Sequence, residues 1–201
     1  MRNKWRRAKL ILIFILAISL LTSCTEIDTP GVEITVVEDE KPEAGGEIRI
    51  GCVDPQSLNP IANKNKTYLD ISKLIFESLF EYDVNMKLTP VLAESFTFNN
   101  GISQCIIKLK NGVRWSDGEP LTAQDIKFTM DNIKYSADSI YKKNLEQIYS
   151  YQVVGNDSIK INYSRSVANP LDALTFPIIP EHIYGRNPNA IPVGTGRYKI
   201  S

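Results

Sequence analysis

The residues that could carry chemistry are few, and their spacing excludes most of it. His182 is the single histidine of the 201 residues. It lacks the second histidine of an HExxH zinc site, and the short helical turn expected around it gives it a surface or capping role. Asp117 and Glu119 are close in sequence, but Ser116-Asp117-Gly118 is a turn in which the aspartate bonds its own backbone. Acid–base work by paired carboxylates needs a fixed separation across a cleft, which nothing here pins. Gly194–Lys199, GTGRYK, lacks the GxxxxGK[ST] spacing and runs from a turn into an expected strand, so no helix N-terminus awaits a phosphate. Cys52 and Cys105 lie in apolar, strand-like surroundings, where a thiol behaves as a small buried hydrophobe. Export would permit a disulfide between them, but two free buried thiols are the expectation, since spacing alone does not bring their Cα atoms into range. No CxxC or Cys/His spacing marks a metal, and no nucleophile elbow is present. The expectation is a protein that is not an enzyme, with no catalytic residue, no metal and no cofactor.

The elements that must place these groups are signalled most densely in Ile106–Asp125, IIKLKNGVRWSDGEPLTAQD. Cys105, Ile107 and Leu109 alternate with Lys108 and Lys110, as a half-buried strand requires. Asn111-Gly112 tolerates φ > 0 and makes a tight turn, Trp115 is an apolar anchor, and Ser116–Gly118 turns the chain again. After Pro120 a helix starts: Thr122 caps it, Asp125 reaches back, and Leu121 and Ile126 form a staple. Asp125 also suits the positive end of the helix dipole. Ile126, Met130 and Ile133 form one stripe and Phe128 and Tyr135 a second, both read as core. Upstream, a strand is expected over Glu47–Cys52 and a helix from Thr67. There Thr67 and Asp70 repeat the capping spacing, with Ile71, Leu74, Ile75 and Leu79 on one face. Leu88–Phe96 returns the chain to the central strand. Downstream, Tyr151–Val154 and Ile159–Tyr163 flank Gly155-Asn156-Asp157 as a hairpin. Asn169-Pro170 opens a short helical piece, Phe176–Pro180 is extended between two prolines, Glu181–Gly185 is a helical turn, and Arg197–Ser201 begins a strand.

Charge is balanced at 23 basic and 23 acidic residues with 43% hydrophobic content, a globular composition with no nucleic-acid signature. The balance is uneven along the chain. Arg2, Lys4, Arg6, Arg7 and Lys9 precede Leu10, and no acid precedes Glu26. Without residues 1–23 the count is 18 basic against 23 acidic, a net −5, which disfavours a polyanionic partner. The five cations and the apolar run Leu10–Leu21 have the form of an export signal. As a helix that run reaches only about 18 Å, short of a ~30 Å hydrocarbon core. Leu21-Thr22-Ser23-Cys24 resembles the lipobox of bacterial lipoproteins. That resemblance implies cleavage after Ser23 and diacylglyceryl attachment to Cys24, whose acyl chains (a palmitate among them) hold the protein at the membrane. The alternative is a plain secretory signal with an incidental cysteine. Thr25–Gly46, rich in Thr, Glu, Asp, Pro and Gly, reads as a flexible tether.

Several ordered motifs resemble the family 5 extracellular solute-binding proteins, the oligopeptide- and nickel-binding group serving ABC importers. Gly46–Ile50 is similar to the family's first strand, Ser57-Leu58-Asn59-Pro60 to its S-L-D-P loop, and Phe76-Glu77-Ser78-Leu79 to its (Y/F)-E-x-L helix. Pro90–Ser95 matches P-x-L-A-E-S, Leu109–Gly118 resembles L-R-x-G-V-x-W-S-D-G, and Thr122–Asp125 matches T-A-x-D. Pro180–Ile183 resembles P-K-H-(I/L), and Gly194–Tyr198 resembles G-T-G-P-Y. The departures are Phe96 in place of Trp, Cys105 in place of an aromatic residue, and Arg197 in place of Pro.

The resemblance implies an α/β chain, part of a two-lobed periplasmic-binding-protein type II fold that closes on its ligand by a hinge. It carries an inserted α+β subdomain, and most of the second lobe lies beyond Ser201. The implied organisation is a lipoprotein signal (1–23), a tether (24–45), the first strand and loop of lobe one (46–66), the inserted subdomain (67–185), and a truncated return to lobe one (186–201). The implied function is that of the substrate-binding lipoprotein of an ABC importer, lipid-anchored through Cys24 on the extracytoplasmic face of the cell membrane, with permease subunits as partners. Oligopeptides are the expected solute, with nickel chelates and sugars as alternatives. Peptide binders of this kind hold an extended chain through its backbone. The resemblance turns the loop Asp54-Pro55-Gln56-Ser57 toward the cleft and makes Asp54, Gln56 and Ser57 its candidate ligand-binding residues; a proline-fixed structural loop is the equal alternative. Two readings of other classes are a non-transporting remnant or surface interaction lipoprotein and a lipoprotein hydrolase, the latter disfavoured by the missing nucleophile and metal motifs.

Overall fold

The computed structural model describes residues 45–99, 101, 103–137, 139–164 and 168–200. The export signal, Cys24 and nearly all of the tether lie outside the described residues. From Arg49 onward the chain forms one unit.

This unit is organised on a four-stranded antiparallel sheet in the order β3 (Ala93–Asn99), β4 (Gln104–Leu109), β6 (Ser158–Tyr163), β5 (Ile148–Val154). The central strand β4 bears out the alternation read from sequence: Cys105, Ile107 and Leu109 are buried. Ile107 stands opposite Phe96 on one side and Ile159 on the other, and Cys105 stands opposite Phe98 and Ile161. This register places one apolar row across the sheet, where cross-strand packing is strongest. Burial pushes the Cys105 thiol up to about 12, so it stays protonated and inert. Cys52 departs from expectation, since it is free but exposed: its segment forms no strand that could bury it.

Helix α2 (Ala123–Tyr135) packs Ile126, Met130 and Ile133 onto the sheet. Its start is the expected capping box. The Asp125 carboxylate accepts from Thr122 N at 2.9 Å and from the Thr122 hydroxyl at 3.0 Å. The other oxygen of Asp125 accepts from Glu181 N at 2.9 Å, so the same carboxylate also holds a distant segment. One turn on, buried Thr129 donates to Asp125 O and accepts from Ile179 N. Two polar side chains of α2 thus satisfy the backbone of the extended Phe176–Pro180 segment and of the residue after it, which the prolines keep out of ladder pairing. Short helices α3 (Lys142–Leu145) and α4 (Glu181–Tyr184) and a 3₁₀ turn at Pro170–Leu174 complete the frame.

Three expectations are corrected. Helix α1 runs Lys66–Ser72 and is capped by Asn65, whose side chain accepts from Tyr68 N at 3.1 Å, so Thr67 is not the cap. The helix stops before Ile75 and Leu79, which are buried outside it. The cause is tertiary: Gly196 N and Tyr198 N donate to the carbonyls of Ile75 and Leu74. A Cβ on Gly194 would stand 1.8 Å from Ile75 O, and one on Gly196 2.5 Å from Leu74 O. The glycines of GTGRYK therefore serve backbone approach. Second, Phe80–Tyr82 (β1) and Leu88–Pro90 (β2) pair as a separate hairpin, where local pattern implied only a closing turn and a return segment. Third, neither 47–52 nor 197–200 forms a strand. Ile48, Ile50, Tyr198 and Ile200 are exposed. A strand without a neighbour leaves its backbone groups unladdered, and no described strand flanks either segment.

Candidate functional site

The site begins with the way α1 hands over to β1. After Ser72 the chain runs through Lys73 and Phe76 to Ser78, which bridges to Pro177, and Ile178 N donates to Glu77 O at 2.9 Å. The 176–178 segment and the 76–82 segment therefore stand side by side. Between them, roofed by Tyr141 ahead of α3, is a cavity of about 290 Å³ lined by Ser72, Lys73, Phe76, Ser78, Glu81, Tyr82, Tyr141, Thr175 and Pro177.

Its hydroxyls are already committed. Ser72 Oγ donates to Leu69 O at 2.8 Å, and Thr175 Oγ1 donates to Asp172 O at 3.0 Å. Ser78 Oγ lies 2.8 Å from Phe80 O and 3.1 Å from Glu81 Oε1. That last contact orients the Glu81 carboxylate along the wall and leaves it acceptor capacity. Lys73 supplies the opposite charge. It is only loosely held by Asp70 at 3.1 Å, with both side chains mostly exposed, so its ammonium is available to a ligand. The Tyr82 phenol is raised in pKa by its hydrogen bond to the Asp172 carboxylate and then by burial, and Tyr141 is raised by burial. Both phenols are therefore neutral at ordinary pH. An anionic group, a cationic group, two phenols and the buried ring of Phe76 face one space. That set has the chemistry to hold a small solute with polar ends and an apolar body.

The sequence-derived site residues lie elsewhere. In the loop, Gln56 N bonds Asp54 Oδ1 at 2.9 Å and Ser57 Oγ lies 3.3 Å from Asn189 Oδ1. Buried Asn63 ties the loop through Pro55 O and Ser57 O. Gln56 is held at φ 60, the left-handed region, and its side chain is exposed. The loop lines neither this cavity nor a second one beside the β1–β2 hairpin. His182, expected to be a surface or capping residue, meets Asp117 at 2.8 Å across 65 residues. Burial pushes the Asp117 carboxyl up, but hydrogen bonds from His182 and from Glu119 N outweigh it and leave it below the usual aspartate value. The turn reading of Asp117 holds through Glu119 N, at 3.1 Å. Glu81, Tyr82 and Tyr141 were missed by sequence reasoning. The available signal was that Tyr82 and Tyr141 are large aromatics outside every apolar stripe.

Residues 87–201 match the family described as bacterial extracellular solute-binding proteins, family 5 middle. The oligopeptide-binding protein AppA of Bacillus subtilis (strain 168) is 28% identical over 178 residues, covering 80% of this chain and 32% of the relative. The glutathione-binding protein GsiB of Escherichia coli (strain K12) is 28% identical over 152 residues, covering 72% and 30%. Among solved structures, NikZ from Campylobacter jejuni in complex with Ni(L-His) aligns with TM-score 0.64 at 28% identity, over 79% of this chain and 32% of that one. The Haemophilus influenzae OppA complex with RPPGFSPFR aligns at 0.67 and 20% identity, over 73% and 34%, which speaks to the fold alone. The chain spans about a third of the length of these relatives.

Proposed function

Because the chain belongs to the bacterial extracellular solute-binding proteins of family 5, we propose that its first cavity is one wall of a solute-binding cleft and that the solute is an oligopeptide. The carrying observation is that Glu81 and Lys73 both line a space also lined by Phe76, Tyr82 and Tyr141. A peptide has the matching chemistry: ionic ends, backbone donors and acceptors, and apolar side chains. The relatives support the class, since one is named for oligopeptides and another for glutathione. Asp54, Gln56 and Ser57 form a second contact in this reading, with Gln56 presented by its left-handed backbone. A nickel chelate is the competing solute, suggested by the NikZ complex.

In the same proposal Cys24 carries the lipid, the protein works on the extracytoplasmic face of the cell membrane, and ABC permease subunits receive the solute. No described helix is long and apolar enough to cross a membrane. Replacing Cys24 by Ser is expected to move the protein from the membrane fraction to the soluble one and to abolish acyl-chain labelling. Retention of label would refute the anchor. For the solute, NMR titration with Ala-Ala-Ala and with Ni(L-His) is expected to shift the amides of Ser78, Glu81 and Thr175 with the peptide. Shifts with the chelate alone would transfer the assignment to nickel.

A further inference from the structure

A second cavity of about 390 Å³ lies between the β1–β2 hairpin and the 3₁₀ turn. Its size falls in the roughly 300–1,000 Å³ range of ligand pockets. Leu88, Phe98 and Leu171 line it and pack against the core, and Asn169 and Asp172 add polar groups at one side. Met86 stands at its mouth, three-quarters exposed, on a hairpin tip closed by Asp83 N to Lys87 O and Met86 N to Asp83 O. The tip is tightly specified, since Asp83 Oδ1 also accepts from Asn85 N and Lys87 N, and Met86 itself is held at φ 59. A rigid turn thus presents a flexible thioether, which adapts to apolar shapes. Tyr82 lines both cavities, and Asp172 lines the second. The two spaces are neighbours across Tyr82.

We infer that the second cavity is a side-chain pocket for the same solute, taking an unbranched or aromatic apolar side chain of a peptide whose polar backbone lies in the first cavity. The inference rests on the reading of the first cavity as a solute site. The shared wall favours a solute over a separate protein partner. A chain crossing from one space to the other passes Tyr82 and then meets the apolar side chains of Leu88, Phe98 and Leu171 beside the polar groups of Asn169 and Asp172. Placing an apolar side chain there removes Phe98, Leu171 and Met86 from water together with it.

The test uses the full chain and three tripeptides, Ala-Gly-Ala, Ala-Met-Ala and Ala-Phe-Ala, followed by NMR at Ser78, Glu81 and Thr175 for the first cavity and at Leu88, Phe98 and Leu171 for the second. All three are expected to shift the first set. The methionine and phenylalanine peptides are expected to shift the second set also and to bind at least about fivefold tighter than the glycine peptide. Leu171→Trp, which fills the pocket, should abolish that preference and the second set of shifts while sparing the first. Met86→Ala, at an exposed tip that cannot unfold the core, should reduce the preference about twofold. Equal affinity for all three, with shifts confined to the first set, overturns this inference and leaves the first cavity's assignment standing. Shifts confined to the second set overturn it too, since the spaces would not share a solute. Silence at both sets overturns the proposed function as well.

Discussion

Between Gln104 and Asp125 each element is specified by residues near it in sequence, whereas the first cavity is assembled from stretches as far apart as Ser72 and Pro177. In the first region a strand, a glycine turn at Gly112, a buried Trp115 and a capped helix follow one another in sequence order. In the second, Glu81 is oriented by Ser78, and the walls are joined by the Ser78–Pro177 bridge. The first region is specified by local chemistry and can be broken by single core changes. The second is specified by the fold as a whole, and its charged side chains, Lys73 and Glu81, are exposed. Stability effects should therefore concentrate in the first region and ligand effects in the second.

The largest stability effect is expected from Trp115→Ala. The side chain is 2% exposed, within the main core, and its loss should cost about 4 kcal/mol, read by urea denaturation. Its indole N–H is buried without a partner among the described residues, so Trp115→Phe removes an unpaired donor along with volume and should cost clearly less. A comparable loss for both variants would show that the indole, rather than apolar volume, anchors the turn. Gly194→Ala comes next. With Ile75 O at 1.8 Å from the new Cβ, the return segment must move, at about 3 kcal/mol. Faster amide exchange at Ser116, which donates to Gly194 O, should accompany it.

Asp125→Ala should cost about 2 kcal/mol, because it removes a helix cap and strands Glu181 N. The intermediate variant Asp125→Asn separates the two roles, since its amide oxygen can still accept from only one of them. This residue marks the limit of what sequence could say. The capping box was legible because both partners lie within one turn. The bond to Glu181, 56 residues away, has no local signal. The same division runs through the molecule. The alternation of β4, the Gly155–Asp157 hairpin and the bracketed Phe176–Pro180 segment follow from local periodicity and turn chemistry. The early end of α1, the β1–β2 hairpin and the loss of strands at 47–52 and 197–200 depend on which distant backbone is present to pair. The cavity residues were hidden for that reason: Glu81 and Thr175 are unremarkable until the Ser78–Pro177 bridge brings their segments together.

The Asp117–His182 pair sits between the two regions, joining the Trp115 turn to α4, and its effect should be smaller. The folded Asp117 carboxyl titrates below its ordinary 3.8. Its interactions therefore stabilise the fold above the unfolded value, and the contribution disappears as pH falls through the folded one. Both side chains are about one-third exposed, so solvent screening holds the contribution below about 1 kcal/mol. His182→Gln should flatten the acid limb of the stability curve below about pH 4 while leaving the ordering of the core variants intact. An unchanged acid limb would assign the lowered carboxyl to the Glu119 backbone bond alone.

The smallest stability change is expected from Glu81→Gln, and it is the sharpest test of the contrast. Glu81 is exposed and bonded through Ser78 within the cavity. The amide oxygen of glutamine can keep that bond, so stability should stay within about 0.5 kcal/mol of the parent. The ligand consequence should be disproportionate. Losing the negative charge of the cavity removes the group that would hold a peptide's ammonium, a charge-assisted bond roughly twice as strong as a neutral one. Titration should show the free tripeptide weakened while an N-acetylated tripeptide, which carries no ammonium, is unaffected. Equal weakening of both would mean that Glu81 shapes the cavity rather than reading charge. A large stability loss would mean that the wall is part of the core after all, and the division between the two regions would not stand.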